Sequence, residues 1–370
     1  MLKTIVVNAT AAHTGGALTI LRDFLDAISY QKKDLSYKYI IFTSFDVEYE
    51  ISSSISIVNV GKKNYLQRLI WDYISFSRFL SKQKITPDLI ISFQNTGVVY
   101  SRTCPQLIYF HNSFSLLPEK WSPFVKNERI LWFYTNVYPF FVKALIKGNT
   151  LFVVQAEWIK NEFAKKFNVS DNKIFVIKPD VVGLPVLQEL SLIGKDKLSF
   201  FFPATAFKYK NHQLIFSILD EIKNINPEVS KLISINLTLT IEDIDQLGLT
   251  DRYNEWKDSI VLLGYISKEE MIKQFNICRA LLFPSRIETL GLPLLEAASI
   301  GKFIIASDLA YAHETLGEYK SVSFIDPYNA NEWAMKVIDC SKNENHTIKK
   351  QLPKTNSWLD FINLIDTITE

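Results

Sequence analysis

The densest set of reactive groups in this chain lies in Phe283-Pro284-Ser285-Arg286-Ile287-Glu288-Thr289-Leu290-Gly291-Leu292-Pro293-Leu294-Leu295-Glu296-Ala297-Ala298. The segment follows an apolar run and opens a helical one. Gly291 lets the backbone come close to a ligand, and Pro293 suits a first helical position, where its missing N–H costs nothing. The amides of Thr289, Leu290, Gly291 and Leu292 would then point outward with a helix dipole behind them, a site sized for a phosphate. Two carboxylates flank it, Glu288 before the turn and Glu296 eight positions on, expected in the first helical turn. Carboxylates beside a phosphate pocket repel the phosphate, so their natural partners are neutral hydroxyls, such as those of a sugar or a ribose. The spacing alone also allows a plain helix start whose acids stabilise the dipole.

Four other junctions carry groups of the right kind. Phe202-Pro203-Ala204-Thr205-Ala206-Phe207-Lys208-Tyr209-Lys210-Asn211-His212 ends a strand, and Lys210 there would neutralise a leaving diphosphate; both lysines could equally be solvated turn residues. Thr14-Gly15-Gly16-Ala17 follows the first strand, and its glycines permit close backbone approach, although the Gly-x-Gly-x-x-Gly dinucleotide pattern is missing. Gln106-Leu107-Ile108-Tyr109-Phe110-His111-Asn112 sets His111 just past a buried-looking strand, where a structural histidine is the competing reading. Ser92-Phe93-Gln94-Asn95-Thr96 ends another strand. Asp243-Ile244-Asp245 resembles a metal-binding Asp-x-Asp only superficially, and no metal is assigned.

The elements that must hold these junctions follow from periodicity. Strands are expected at Thr4–Asn8, Tyr37–Thr43, Leu89–Phe93, Leu107–Phe110, Leu151–Val154 and Ile174–Ile177, then at Leu198–Phe202, Ile233–Ile241, Ser259–Leu263, Ala280–Phe283, Phe303–Ala306 and Val322–Ile325. Helices are expected at Ala17–Ser29, Leu66–Gln83, Glu128–Lys147, Glu157–Phe167, His212–Asn224, Lys268–Asn276, Pro293–Ile300 and Asn331–Cys340. Strand–helix alternation means parallel sheets covered on both faces. The pattern restarts after Pro179. The expected fold class is therefore α/β, two Rossmann-like doubly wound domains facing a cleft: 1–180, 181–350, and 351–370 as a C-terminal helix packing back on the first domain.

Glu288-x7-Glu296, with Gly291-Leu292-Pro293 inside it and Gly301-x5-Ser307-Asp308 after it, resembles the signature of family 4 retaining glycosyltransferases of GT-B fold, of the bacterial surface-polysaccharide type. The resemblance implies that Glu288 contacts the transferred sugar, that the Thr289 and Leu290 amides with Gly291 hold the diphosphate, and that Glu296 binds the ribose diol. It implies a diphosphate contact for Lys210, shared with Lys208, since the arginine many relatives carry nearby is replaced here by Thr205 and Ala206. It places Gly15 and Gly16 at the donor phosphate, His111 at the donor sugar, and Asn95 and Asn112 at the acceptor. Val153-Val154-Gln155-Ala156-Glu157-Trp158 matches another junction of that fold. One departure stands out: the family usually has Gly-Phe after the first acid, and this chain has Thr289-Leu290, which puts donor identity in question. Retention of anomeric configuration is implied, with no metal and no cofactor.

Composition agrees with a chain that builds large cores: of 370 residues, 48% are hydrophobic and 22% charged. Net charge is +2, but residues 51–150 hold 12 Lys+Arg against 4 Asp+Glu and 18 of the aromatics. That asymmetry suggests an anionic partner. Within it, Lys120–Lys147 mixes aromatics with Lys120, Lys126, Arg129, Lys143 and Lys147, fit for an anionic membrane surface bearing a lipid-linked acceptor, or for a helix buried in the first domain. No stacking or helix-turn-helix motif supports a nucleic-acid partner. Cys104, Cys278 and Cys340 are odd in number and far apart, which fits a reducing compartment. Met1–Asn8 has too short an apolar run for a signal-peptide core, and Leu131–Ile146 is too short to span a bilayer. The expectation is a cytoplasmic glycosyltransferase, peripheral at the inner face of the membrane, moving a sugar from a nucleotide-sugar donor to a glycan or lipid-linked acceptor. A GT-B glycan phosphorylase and a non-catalytic nucleotide-sugar-binding protein are the alternatives.

Overall fold

Short runs rich in Ile, Val and Phe form buried parallel strands, and longer amphipathic runs return the chain over the sheets. The computed structural model describes residues 2–13, 15–30, 37–47, 49, 54–117, 119–180, 183–187, 198–342 and 357–370. Its strands are β1 (Lys3–Asn8), β2 (Tyr37–Thr43), β3 (Ile55–Asn59), β4 (Leu89–Ser92), β5 (Gln106–Phe110), β6 (Thr150–Val154), β7 (Ile174–Val176), β8 (Leu198–Phe202), β9 (Ile233–Leu237), β10 (Ile260–Leu262), β11 (Ala280–Phe283), β12 (Phe303–Ser307) and β13 (Val322–Ile325). They form two parallel sheets, in the orders β3-β2-β1-β4-β5-β6-β7 and β10-β9-β8-β11-β12-β13. Strands β4, β5, β9 and β11 are buried along their whole length, as expected where helices cover both faces.

The chain divides into two compact units: Met1–Lys120 with Leu131–Asp180 and Thr355–Glu370, and Trp121–Ile130 with Val181–Lys354. In the first unit the helix Ser357–Thr369 buries Phe361, Ile362 and Ile365 in the core beside Phe24 and Phe93. The Phe361 ring stacks on Phe93 at 6.2 Å and meets Phe24 edge-on at 5.9 Å. Polar ties fix its ends: the Ser357 hydroxyl donates to Asp180 Oδ2 (2.9 Å), and the Tyr37 hydroxyl donates to Asp366 Oδ1 (2.7 Å). The three cysteines are buried, and none is in a disulfide.

Several expected elements differ from those observed. Ile233–Ile241 was expected as one strand, but β9 stops at Leu237, because Thr240 and Asp243 form a reciprocal capping box that starts the helix Ile241–Leu247. Strand β3 was not anticipated; it is a half-exposed edge strand of five residues, and its Ile55-Ser56-Ile57-Val58 run is brief. Expected helix Leu66–Gln83 is interrupted by a π-helical turn at Trp71–Ser75. The expected helix Glu128–Lys147 is two helices, Arg129–Asn136 and Tyr138–Ala144, because Pro139 lacks the N–H that would continue the ladder and instead occupies a first-turn position.

Candidate active site

The second sheet reverses its strand order between β8 and β11, and in doubly wound sheets ligands bind beyond the strand ends at such a point. The two loops that meet there carry the chemistry. After β8 the chain makes a 3-10 turn at Lys208–Lys210, with Asn211 left-handed at φ +65°, and enters the helix His212–Ile225. His212 is buried, its Nε2 lies 2.9 Å from the Thr205 carbonyl, and burial pushes its pKa down to about 4, so it braces the turn as a neutral ring. After β11 the chain turns through Pro284–Leu290 to Gly291, left-handed at φ +70°, and enters the helix Leu292–Ser299 with Pro293 in its first turn. A Cβ on Gly291 would stand 3.1 Å from Phe283 Cε1 and 3.2 Å from Leu294 Cδ1, so both dihedral and space call for glycine.

The loops are tied to each other. Lys210 Nζ donates to Glu288 Oε1 at 2.5 Å, and the Ser285 hydroxyl donates to the same oxygen at 2.8 Å. Both members of the ion pair are about 15% exposed, so the pair is shielded from water yet reachable. Among the described residues none donates to Glu288 Oε2. The Arg286 amide donates to the Tyr209 carbonyl (2.8 Å), and the Arg286 guanidinium lies over the Trp121 ring at 5.3 Å. Behind the corner, the buried Tyr311 hydroxyl donates to the Ser285 carbonyl (2.7 Å) and the Thr315 hydroxyl to the Leu290 carbonyl (2.5 Å). These bonds orient Leu290 and its neighbours before any ligand arrives.

Glu296 is the fifth residue of its helix and not in the first turn as expected, because Leu292 already opens the helix. It is half-buried, no donor among the described residues reaches its carboxylate, and burial raises its pKa while nearby Lys268 pulls it back. A carboxylate so placed is an acceptor awaiting hydroxyl donors. Lys208 points away from the Lys210–Glu288 pair to Glu128, at 2.7 Å, and that bond, with the Ser122 amide, holds the Glu128 pKa down. Asp243 caps its helix by accepting from the Thr240 amide (2.9 Å), and Asp245 accepts from the Thr250 hydroxyl, so neither assembles with other ligands. No group of three or more His, Cys, Asp or Glu able to hold a metal occurs among the described residues.

In the first unit the expected site residues sit on strand ends. Gly15 and Gly16 begin the helix Gly15–Tyr30 after β1; a Cβ on Gly16 would meet nothing within 4 Å, and Thr14 lies outside the described residues. Asn95, left-handed at φ +63° beyond β4, accepts from the His111 amide at 2.6 Å. That bond joins the ends of β4 and β5. His111 is partly buried, its Nδ1 finds no hydrogen-bond partner among the described residues, and burial pushes its pKa down to about 4. It is therefore a neutral ring at pH 7. Asn112 is buried and its Oδ1 accepts from the Phe114 amide (3.0 Å) in a local turn, so its carbonyl end is occupied.

Sequence reasoning did not single out Ser285, Tyr311, Thr315 or Glu128. Ser285 lies inside Phe283–Ala298, three residues before Glu288, and that position was its available signal. Glu128 is 80 positions from Lys208, and no local pattern links them.

Residues 187–354 match the family described as glycosyl transferases group 1. Over 332 residues the chain is 26% identical to the O-antigen chain mannosyltransferase RfbU of Salmonella typhimurium, covering 87% of this chain and 84% of that protein. The fold is shared with WaaG, a glycosyltransferase involved in lipopolysaccharide biosynthesis (TM-score 0.65, 11% identity, 98% and 99% covered). It is shared too with Anabaena HepE in complex with UDP and glucose (TM-score 0.61, 13% identity, 99% and 97% covered).

Proposed function

We propose that this chain, a glycosyltransferase of GT-B fold, uses the β8/β11 corner to hold the diphosphate of a nucleotide-sugar donor and passes the sugar to a hydroxyl of a surface-polysaccharide acceptor. The observation that carries the reading is the Lys210–Glu288 pair at the switch point, one loop supplying the cation and the other a carboxylate with an open oxygen. When the bond between the anomeric carbon and the diphosphate breaks, negative charge grows on the leaving oxygen and positive character on the sugar ring. Lys210 and the amides of Thr289 and Leu290 supply fixed positive charge for the former. Because the corner is held by Tyr311 and Thr315, little reorganisation is needed at the moment of reaction. Glu288 and Glu296 take hydroxyls of the sugar and the ribose. His111, as a neutral ring, donates to or accepts from the transferred sugar, and Gly15 and Gly16 let the backbone reach the donor phosphate. Lys208 is released to the diphosphate only if Glu128 lets go of it. Asn95 and Asn112 border the acceptor, and transfer proceeds with retention.

The protein works at a membrane surface in this reading. No helix among the described residues is long and apolar enough to cross a membrane. The first unit nonetheless exposes Leu66, Ile70 and Ile74, spaced at four residues along one helical face, and Phe140 beside exposed Lys143. Apolar side chains ringed by a basic excess suit an anionic bilayer carrying a lipid-linked acceptor. RfbU, by its name, transfers mannose to an O-antigen chain, and a comparable glycan is the acceptor class proposed here.

Transfer of labelled sugar from a panel of nucleotide sugars to extracted lipid-linked glycans tests this. Lys210→Ala and Glu288→Gln should each lower the rate by at least about a hundredfold, the usual loss when a group that stabilises the transition state is removed. Rates close to those of the unaltered chain would sink the assignment.

A further inference from the structure

The stretch Trp121–Ile130 is part of the second unit, although the residues on either side of it belong to the first. Its middle buries little: Phe124 is 87% exposed, and Val125, Lys126 and Asn127 are exposed too. Polar and cation–π ties fasten it instead. The Arg286 guanidinium lies over the buried Trp121 ring at 5.3 Å, the Asn127 side-chain amide donates to the Gln246 carbonyl, and Lys208 Nζ donates to Glu128 Oε1 at 2.7 Å. Two of these partners, Arg286 and Lys208, stand on the two loops of the donor corner. The loops meet there as well, since the Arg286 guanidinium donates to the Lys208 carbonyl (3.3 Å).

Glu128 is held as a phosphate would be. One carboxylate oxygen takes the Lys208 ammonium and the other takes the Ser122 amide (2.8 Å), with the Arg286 charge nearby. The bond from Lys208 above all keeps the Glu128 carboxyl below its usual range, so it is ionised at neutral pH. A lysine, a main-chain N–H and an arginine around one anion are the donor set of a phosphate site. Here a carboxylate from 80 positions earlier fills it. The Glu128 side chain is 17% exposed and that of Lys208 34%, so water reaches the pair. Partly exposed pairs of this kind are weak enough for a multiply charged ligand to break. The Lys210–Glu288 pair differs: Glu288 keeps an oxygen for a ligand, whereas both oxygens of Glu128 are engaged by the protein.

We propose that Glu128 is an internal stand-in for phosphate at Lys208. The incoming diphosphate displaces it, Lys208 becomes a second cation on the diphosphate beside Lys210, and the stretch Trp121–Ile130 is let go. The inference rests on the reading that the corner holds the diphosphate of a nucleotide sugar. Before the donor arrives, the pairing neutralises Lys208 and keeps its side chain ordered. Breaking the pair costs free energy, so Glu128 sets how tightly the donor is held.

The test is calorimetric titration of the full chain at low salt with UDP, GDP, ADP and CDP, in the parent, Glu128→Gln, Lys208→Ala and the double variant. Glu128→Gln keeps an acceptor for the Ser122 amide and removes the charge. It should tighten at least one nucleotide by about threefold to fivefold, the worth of a partly exposed ion pair. In the Lys208→Ala chain the same substitution should change nothing. Glu128→Ala is the second acid variant and should give the same gain. Hydrogen–deuterium exchange supplies a structural readout: nucleotide should speed exchange in peptides across Trp121–Ile130 of the parent, and Glu128→Gln should exchange at the faster rate without it. Unchanged or weaker binding in both Glu128 variants overturns the stand-in. So does a gain that persists in the Lys208→Ala chain, which is plain charge repulsion, or nucleotide that slows exchange across Trp121–Ile130. Binding weakened by Lys210→Ala but unmoved by the Glu128 variants removes the stand-in and leaves the donor reading. A parent chain that binds none of the four nucleotides defeats the donor reading itself, and the stand-in falls with it.

Discussion

Replacing Gly291 with alanine probes the corner on which donor binding is argued to depend. Gly291 sits at φ +70°, where an alanine costs about 1–2 kcal/mol relative to the right-handed region. Its new methyl would also lie 3.1 Å from Phe283 Cε1 and 3.2 Å from Leu294 Cδ1, and crowding of that degree in a packed site costs about 1 kcal/mol more. Leu294 is fully buried and its amide donates to the Gly291 carbonyl (2.9 Å), so relief by backbone shift would break the first bond of the helix. The sum is about 2–3 kcal/mol of lost stability, read as a lower urea midpoint at unchanged slope. If the corner relaxes instead, the amides of Leu290 and Leu292 rotate away and nucleoside diphosphate affinity falls by about tenfold or more. Gly16→Ala is the matched control. Its Cβ would meet nothing within 4 Å and its position is helical, so stability should hold or rise by about 0.5 kcal/mol. Equal midpoints and equal nucleotide affinity for Gly291→Ala and the parent chain would refute the corner geometry.

Two further outcomes follow from the first unit. Burial raises the Asp72 carboxyl from 3.8 to about 7, so between those values the folded chain carries a proton that the unfolded chain has released. Stability should therefore fall as pH rises from about 4 to 7 and level off above, by up to about 4 kcal/mol, and Asp72→Asn should flatten that part of the urea-midpoint profile. Phe361→Ala removes a fully buried ring that touches Phe24, Phe93 and Tyr109, and should cost about 3–5 kcal/mol by chemical denaturation, with nucleoside diphosphate affinity retained in the folded fraction.

The two-sheet architecture was legible because its strands are short, largely buried and rich in apolar and aromatic residues, as in Tyr37–Thr43, Leu198–Phe202 and Ala280–Phe283. The chemical corner was legible for a similar reason: Glu288, Gly291, Pro293 and Glu296 lie within nine consecutive residues, and a left-handed glycine before a helical proline leaves a mark in the residue types. What escaped was either weakly patterned or distant in sequence. The half-exposed edge strand Ile55–Asn59 is only five residues long, and its Ile-Ser-Ile-Val run is brief. The Thr240–Asp243 capping box and the Pro139 break were present in the residues but were outweighed by the apolar stretches around them. Partnerships such as Glu128–Lys208, or Asp72 with Asn8 and Gln94, depend on how strands and loops come together and have no periodic signature. The π-helical turn that presents Asp72 is likewise set by tertiary bonds, among them Val99 to the Asp72 carbonyl.

Hydrogen–deuterium exchange of the full chain with and without a nucleoside diphosphate tests the central claim at the amides themselves. Protection should appear in peptides spanning Thr289–Leu292 and Lys208–His212, and Lys210→Ala should diminish it at both. Nucleotide binding that leaves those peptides exchanging as before, with protection elsewhere, would contradict the account.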